Sequence, residues 1–181
     1  MLKTAIRWRL IRHNPVAGID RPRVHQPDLN VLTETEIARP WTAYLSLEAD
    51  AEGGEEPEWW RLARTLTFTA LGTAMRRGEL LALRWKDIHL LEAHLHVREA
   101  LVKGRFTTPK SRAGTRRIDL GRRTTQLLAD HWQNSNYQTD DDLVFPHPLK
   151  GTPLDPARLA RVYLTAALHT AGIHKLHPPL P

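Results

Sequence analysis

The stretch Thr73–Asp87, T-A-M-R-R-G-E-L-L-A-L-R-W-K-D, sets Arg76, Arg77, Glu79 and Arg84 into an otherwise apolar helical pattern. Leu80, Leu81, Leu83 and Trp85 belong in a core, and a charge beside a core is costly unless it is paired. An arginine here therefore serves either a structural ion pair or a bound anion. Arg76 follows the break at Gly72 and opens a predicted helix over about 76–84. Glu79 lies three residues on, on the same helical face, where it can hold Arg76 in place. The N-terminus of that helix adds a further preference for anions.

Upstream, residues 2–12 read as a helix with Ala5, Trp8 and Ile11 near one face, stopped by Asn14-Pro15. Residues 15–31 carry three prolines without periodicity and read as a linker. Thr33 and Glu36 form a capping box for a helix toward Leu45, which Pro40 should kink or shorten. The acidic 48–58 segment reads as an exposed loop, and Trp59–Leu71 as a helix. Downstream, His94–Val102 alternates as strand. Phe106–Thr108 and Arg117–Leu120 are expected to pair as a hairpin around a turn at Ser111–Thr115, with Lys110 near a strand end. A helix over 123–133, a short apolar segment Leu143–Phe145 and a final helix from Asp155-Pro156 to Gly172 follow. That last helix should bury Leu159, Val162, Tyr163, Ala166 and Ala167. The order gives an α+β fold, mostly helical.

Composition narrows the function. The 181 residues hold 26 Lys and Arg against 20 Asp and Glu, a net +6 that suits a polyanionic partner. With 41% apolar residues the chain can bury a real core. Cysteine is absent, which excludes disulfide scaffolds, thiolate zinc sites and cysteine nucleophiles. No run reaches the length of a membrane span, and the N-terminus does not read as a secretory signal. Basic residues concentrate between Lys103 and Arg123, marking that block as the partner-facing side. His89, His94 and His96 invite a metal reading, but no ligand spacing emerges with Glu92 or Glu99, so no metal is expected. No phosphate-binding glycine loop or nucleophile-elbow motif occurs.

T-A-M-R-R-G-E-L-L-A-L-R-W-K-D-I followed by strands and then T-P-K-S-R-A-G-T-R-R-I-D-L resembles the tyrosine recombinases, the phage integrase family. A-I-R-W-R-L-I-R-H-N-P, V-L-T-E-T-E-I, D-D-L-V-F-P-H-P-L-K-G-T-P-L-D-P and A-L-H-T-A-G-I extend the likeness over nearly the whole chain. The resemblance implies that Arg76 contacts the scissile phosphate, that Glu79 supports it, and that Lys110 is the general acid for the leaving 5′-oxygen. It implies double-stranded DNA as partner, bound in part by Arg77, Lys103, Arg105, Arg112, Arg116 and Arg117, with sister subunits in the assembled enzyme. It also implies strand exchange through a covalent phosphotyrosine, with no cofactor, and a cytoplasmic location in a bacterial or phage context.

The sequence departs from the family pattern in several places. Ala74 stands where glycine is usual, and Met75 where leucine is usual. His177 matches the first position of the family's H-x-L-R box, but Leu180 stands where the second arginine is expected. Tyr44, Tyr137 and Tyr163 are the only tyrosines, and none occupies the nucleophile's place. The expectation is a truncated integrase. Residues 1–14 would be the last helix of a core-binding domain, 15–32 a linker, and 33–181 a catalytic domain shortened at its C-terminus. Such a chain should not cleave DNA and should be marginally stable, with an apolar patch left uncovered. The alternative is a non-catalytic DNA-binding regulator on the same fold. A third reading is a basic RNA- or protein-binding module with an accidental likeness.

Overall fold

The computed structural model describes residues 2–16, 18–19, 31–51, 56–108 and 115–173. The chain separates into two compact units, Met1–Val31 and Leu32–Pro181. Among its described residues the first contains one helix, α1 (Leu2–Arg7), with no buried residue. It is shorter than the expected 2–12 helix because Arg9 adopts φ 60°, a left-handed conformation that ends a helix.

The second unit opens with α2 (Glu34–Asp50). Thr33 caps it, and the Glu36 side chain returns a bond to the Thr33 amide at 2.9 Å, completing the capping box. Pro40 does not shorten this helix, contrary to the sequence expectation. A proline inside a helix costs about 3 kcal/mol in isolation. Here Pro40, Ala43 and Tyr44 are buried, and that packing offsets the lost backbone bond.

The acidic 48–58 segment is likewise not simply a loop. Glu48 belongs to α2, and Arg61 and Arg64 of α3 (Glu56–Thr73) each bond its carboxylate at 3.1 Å. An acidic run alone does not show these pairs, because the partners lie on the next helix.

Helix α4 (Arg77–Leu81) and a 3-10 turn (Trp85–Asp87) lead into a three-stranded antiparallel sheet. Its order is β1 (Ile88–His89), β2 (His94–Val97), β5 (Arg116–Asp119). β3 (Ala100–Val102) and β4 (Arg105–Thr107) form a separate hairpin. The expected pairing of 106–108 with 117–120 is therefore wrong. Lys103 (φ 50°) and Gly104 (φ 74°) close a two-residue turn that pairs β4 back onto β3. β5 instead lies beside β2, where Ile118 faces Leu95.

Helix α5 (Arg122–Gln133) follows the sheet. Leu143, Val144 and Phe145 are buried, and the Val144 amide bonds the Leu83 carbonyl at 2.9 Å. The last helical run comprises α6 (Pro156–Leu159), a π-helical turn (Ala160–Leu164) and α7 (Thr165–Thr170). Asp155 caps it through the Ala157 amide, and Gly172 ends it with φ 68°. Leu159, Tyr163 and Ala167 face inward, but Val162 is 43% exposed, outside the face assigned to it.

The core joins both ends of this unit. Trp59 stacks on Tyr163 with centroids 5.6 Å apart, and Trp60 meets the same ring edge-on at 4.8 Å. Leu80, Leu81, Leu83, Trp85, Leu95 and Val97 continue the core under the sheet.

Candidate nucleic-acid interface

Arg76 is the residue before α4, with extended backbone (φ −67°, ψ 148°). Its amide donates to Glu79 Oε2 at 2.9 Å, and its guanidinium donates to Glu79 Oε1 at 3.1 Å. The expected i,i+3 partnership is present. Glu79 does more than hold Arg76, however. Arg116 on β5 grips both of its oxygens, through NH1 at 2.9 Å and NH2 at 2.7 Å. That bidentate pair balances the carboxylate's charge.

Burial separates the roles. The Glu79 side chain is 7% exposed and that of Arg116 32%, whereas that of Arg76 is 79% exposed. Arg76 thus presents a guanidinium to solvent on a buried, already neutralised carboxylate. The Arg116 hydrogen bonds, and then those from the Arg76 amide and guanidinium, hold the Glu79 carboxyl down at about 2, against the opposing effect of burial.

The N-terminus of α4 itself contributes little. The helix has five residues, and the Glu79 side chain already accepts from the Arg76 amide. Site positivity comes from side chains. Arg77, also exposed, begins α4. Lys103 and Arg105, both exposed, occupy the β3–β4 hairpin. That hairpin docks directly on α4: a Cβ built on Gly78 would come within 2.7 Å of the Leu101 carbonyl oxygen. Only glycine permits this approach.

Two other arginines from the sequence reading have different places. Arg84 is a clamp: it bonds the Asp141 carbonyl, pairs with Glu99 at 3.7 Å and lies over the Phe106 ring at 5.2 Å. Arg117 is not brought together with Arg76. Neighbouring side chains alternate across a strand, so Arg117 shares the opposite face with His96 while Arg116 shares Val97's face and reaches Glu79. Arg117 instead pairs with Asp119 at 2.9 Å. Lys110, Arg112 and His177 lie outside the described residues. The Arg116–Glu79 pair is not foreseen in the sequence, where Arg116 falls between the expected turn at Ser111–Thr115 and the expected strand Arg117–Leu120; the structure puts it in β5.

The tyrosines are structural in their surroundings. Tyr44 is fully buried with its hydroxyl 3.0 Å from Thr67 Oγ1, and burial pushes its phenol up to about 12. Tyr163 is 1% exposed against Trp59. Tyr137 packs against Gly151, whose φ is 65°.

A model of the phage integrase family matches residues 51–179. The chain belongs to the phage integrase family. It is 27% identical over 148 residues to the ICEBs1 integrase of Bacillus subtilis (strain 168), covering 80% of this chain and 37% of that one. It is 23% identical over 148 residues to the prophage integrase IntR of Escherichia coli K12, covering 81% of this chain and 32% of that one. The chain therefore spans about a third of the length of these two integrases.

Among solved structures, it resembles the XerA recombinase with TM-score 0.59 and 19% identity, over 96% of this chain and 53% of that one. It resembles the Tn1549 transposon integrase in complex with transposon right end DNA with TM-score 0.62 and 19% identity, over 94% and 61%. The fold is that of a tyrosine recombinase catalytic domain, and the expected mostly helical α+β class holds. Ala74, which stands where the integrase pattern has glycine, adopts φ 49° immediately after α3. That conformation is the physical reason glycine suits the position. Among the described residues, no helix is long and apolar enough to cross a membrane.

Proposed function

We propose that this integrase segment binds double-stranded DNA and supplies the phosphate-holding part of a site-specific recombination centre. The observation that carries this reading is the exposed Arg76 guanidinium, oriented by a buried Glu79 whose charge Arg116 already balances. Arg77, Lys103 and Arg105 extend the positive surface along α4 and its docked hairpin. Cations fixed around a phosphate stabilise the charge that develops on its oxygens during attack. By the family resemblance, Lys110 protonates the leaving 5′-oxygen, His177 joins the phosphate site, and Arg112 adds to the DNA contacts. The nucleophile in the intact reaction is a tyrosine and no cofactor takes part. Neither Tyr44 nor Tyr163 can take that role, because both hydroxyl-bearing rings are buried, and Tyr137 lies outside any family motif. We infer that these 181 residues bind DNA without cleaving it and that sister subunits complete the assembly in a bacterial or phage cytoplasm. Residues 1–14 serve as the end of a core-binding domain, 15–32 as a linker and 33–181 as catalytic domain.

Fluorescence anisotropy on a labelled duplex tests the reading. Arg76→Ala should weaken binding and reduce the salt slope by about one. Unchanged affinity in an Arg76→Ala/Arg77→Ala double variant would sink the proposed DNA face. A covalent adduct on a nicked duplex would sink the claim that cleavage is absent.

A further inference from the structure

The three-stranded sheet has two faces with different chemistry. Leu95, Val97 and Ile118 face the core. The opposite face carries His89 from β1 and His94 and His96 from β2. His89 and His94 are cross-strand partners, and His96 is two residues further along, so strand alternation puts all three imidazoles on one side. The sequence singles out the three histidines, and the register of β1 on β2 is what brings His89 beside the other two.

The rings converge. Centroids are 4.5 Å apart for His89–His94, 5.2 Å for His94–His96 and 5.5 Å for His89–His96. One nitrogen from each ring lies within 4.8 Å of the other two. Three imidazoles around a tetrahedral zinc ion, with Zn–N of about 2.0–2.1 Å, hold their centroids about 5 Å apart. The centroid spacing matches; His89 and His94 are stacked at 20°, so one of these rings must turn for both to offer a nitrogen to a shared ion. His94 Nδ1 makes a long 3.5 Å contact with the Glu92 carbonyl, an orientation that directs Nε2 away as ligand.

The two arginines nearest His96 are each paired with a carboxylate, which reduces their repulsion of an ion without removing it. Arg117, across from His96, is paired with Asp119 at 2.9 Å, and Arg98, next after β2, with Asp87 at 2.8 Å.

We propose that His89, His94 and His96 bind one divalent ion of the zinc class and so tie the two-residue strand β1 to β2. An all-imidazole set suits Zn²⁺, Ni²⁺ or Cu²⁺ and not the oxygen-seeking Mg²⁺ or Ca²⁺. The fourth position is left to water. The site is independent of the proposed DNA reading, since it uses the far face of the sheet from Arg116.

The test uses the full chain, stripped with chelator and titrated with zinc chloride while imidazole ¹⁵N resonances are followed. The expected result is one equivalent bound with a Kd below about 10 µM. His89, His94 and His96 should shift together. The melting temperature should rise with zinc and return when chelator is added. His89→Gln and His96→Gln should each weaken binding at least tenfold with the zinc-free fold unchanged. A weaker Kd, shifts confined to other histidines, or parent-like affinity in either variant would overturn the site and leave three packed rings. Because the resonance shifts are read in the unaltered chain, a variant that fails to fold does not remove the test.

Discussion

At Glu79 four hydrogen bonds converge, two from Arg76 and two from Arg116. Removing its charge leaves Arg116 partly buried without a carboxylate. Glu79→Gln should therefore destabilise the fold by about 2–4 kcal/mol, read as a lower urea midpoint. The same group sets an acid limit. Its carboxyl is lowered from 4.5 to about 2, so its stabilisation is complete above pH 4.5 and lost as pH falls toward 2. Unfolding of the parent should steepen with acid across that window, and the Gln variant should lose this component. Ala74 supplies a test of the opposite sign. With φ 49°, it carries a backbone strain that glycine relieves. Ala74→Gly should stabilise by about 1 kcal/mol in thermal unfolding, an outcome no ordinary helix-end alanine would give.

Among the elements, α4 and the β3–β4 hairpin depend on each other through Gly78. The Cβ of Gly78→Ala would press on the backbone carbonyl of Leu101 at 2.7 Å, and backbone cannot turn aside. The variant should lose about 1–3 kcal/mol and lose hydrogen-exchange protection in β3 and β4 first. Gly72 is the control. A Cβ there meets the Thr124 side chain, which can rotate, so Gly72→Ala should cost less. Helix caps were legible in the chain because they are local: Thr33 with Glu36, and Asp155 before Pro156, each act within three residues. Strand partners were not. A two-residue turn at Lys103-Gly104 competes with a longer loop for the same strand β4, and propensity alone did not rank them.

Across the whole second unit, aromatic packing joins early and late segments. Trp59 of α3 stacks on Tyr163, touches His147 edge-on at 5.0 Å and lies under Arg158 at 5.2 Å. Trp59→Ala should cost about 3–5 kcal/mol and abolish a single cooperative transition under mild denaturant. Because the Trp59 ring meets Tyr163, His147 and Arg158, none of which belongs to the proposed DNA face, the loss should lower DNA affinity only through unfolding. Binding measured well below the transition should be unchanged.

The sequence by itself determined the helix caps, the order of elements, the i,i+3 bond between Arg76 and Glu79 and the family likeness, since each rests on neighbours in the chain or on motif order. Tertiary structure decided which arginine serves which purpose. It gave Arg116 to Glu79, turned Arg117 to the opposite face, made Arg84 a clamp and gathered three histidines from two strands. The physical reason is register. A strand's side chains alternate, so a shift of one residue exchanges its faces, and register is set by partners distant in sequence.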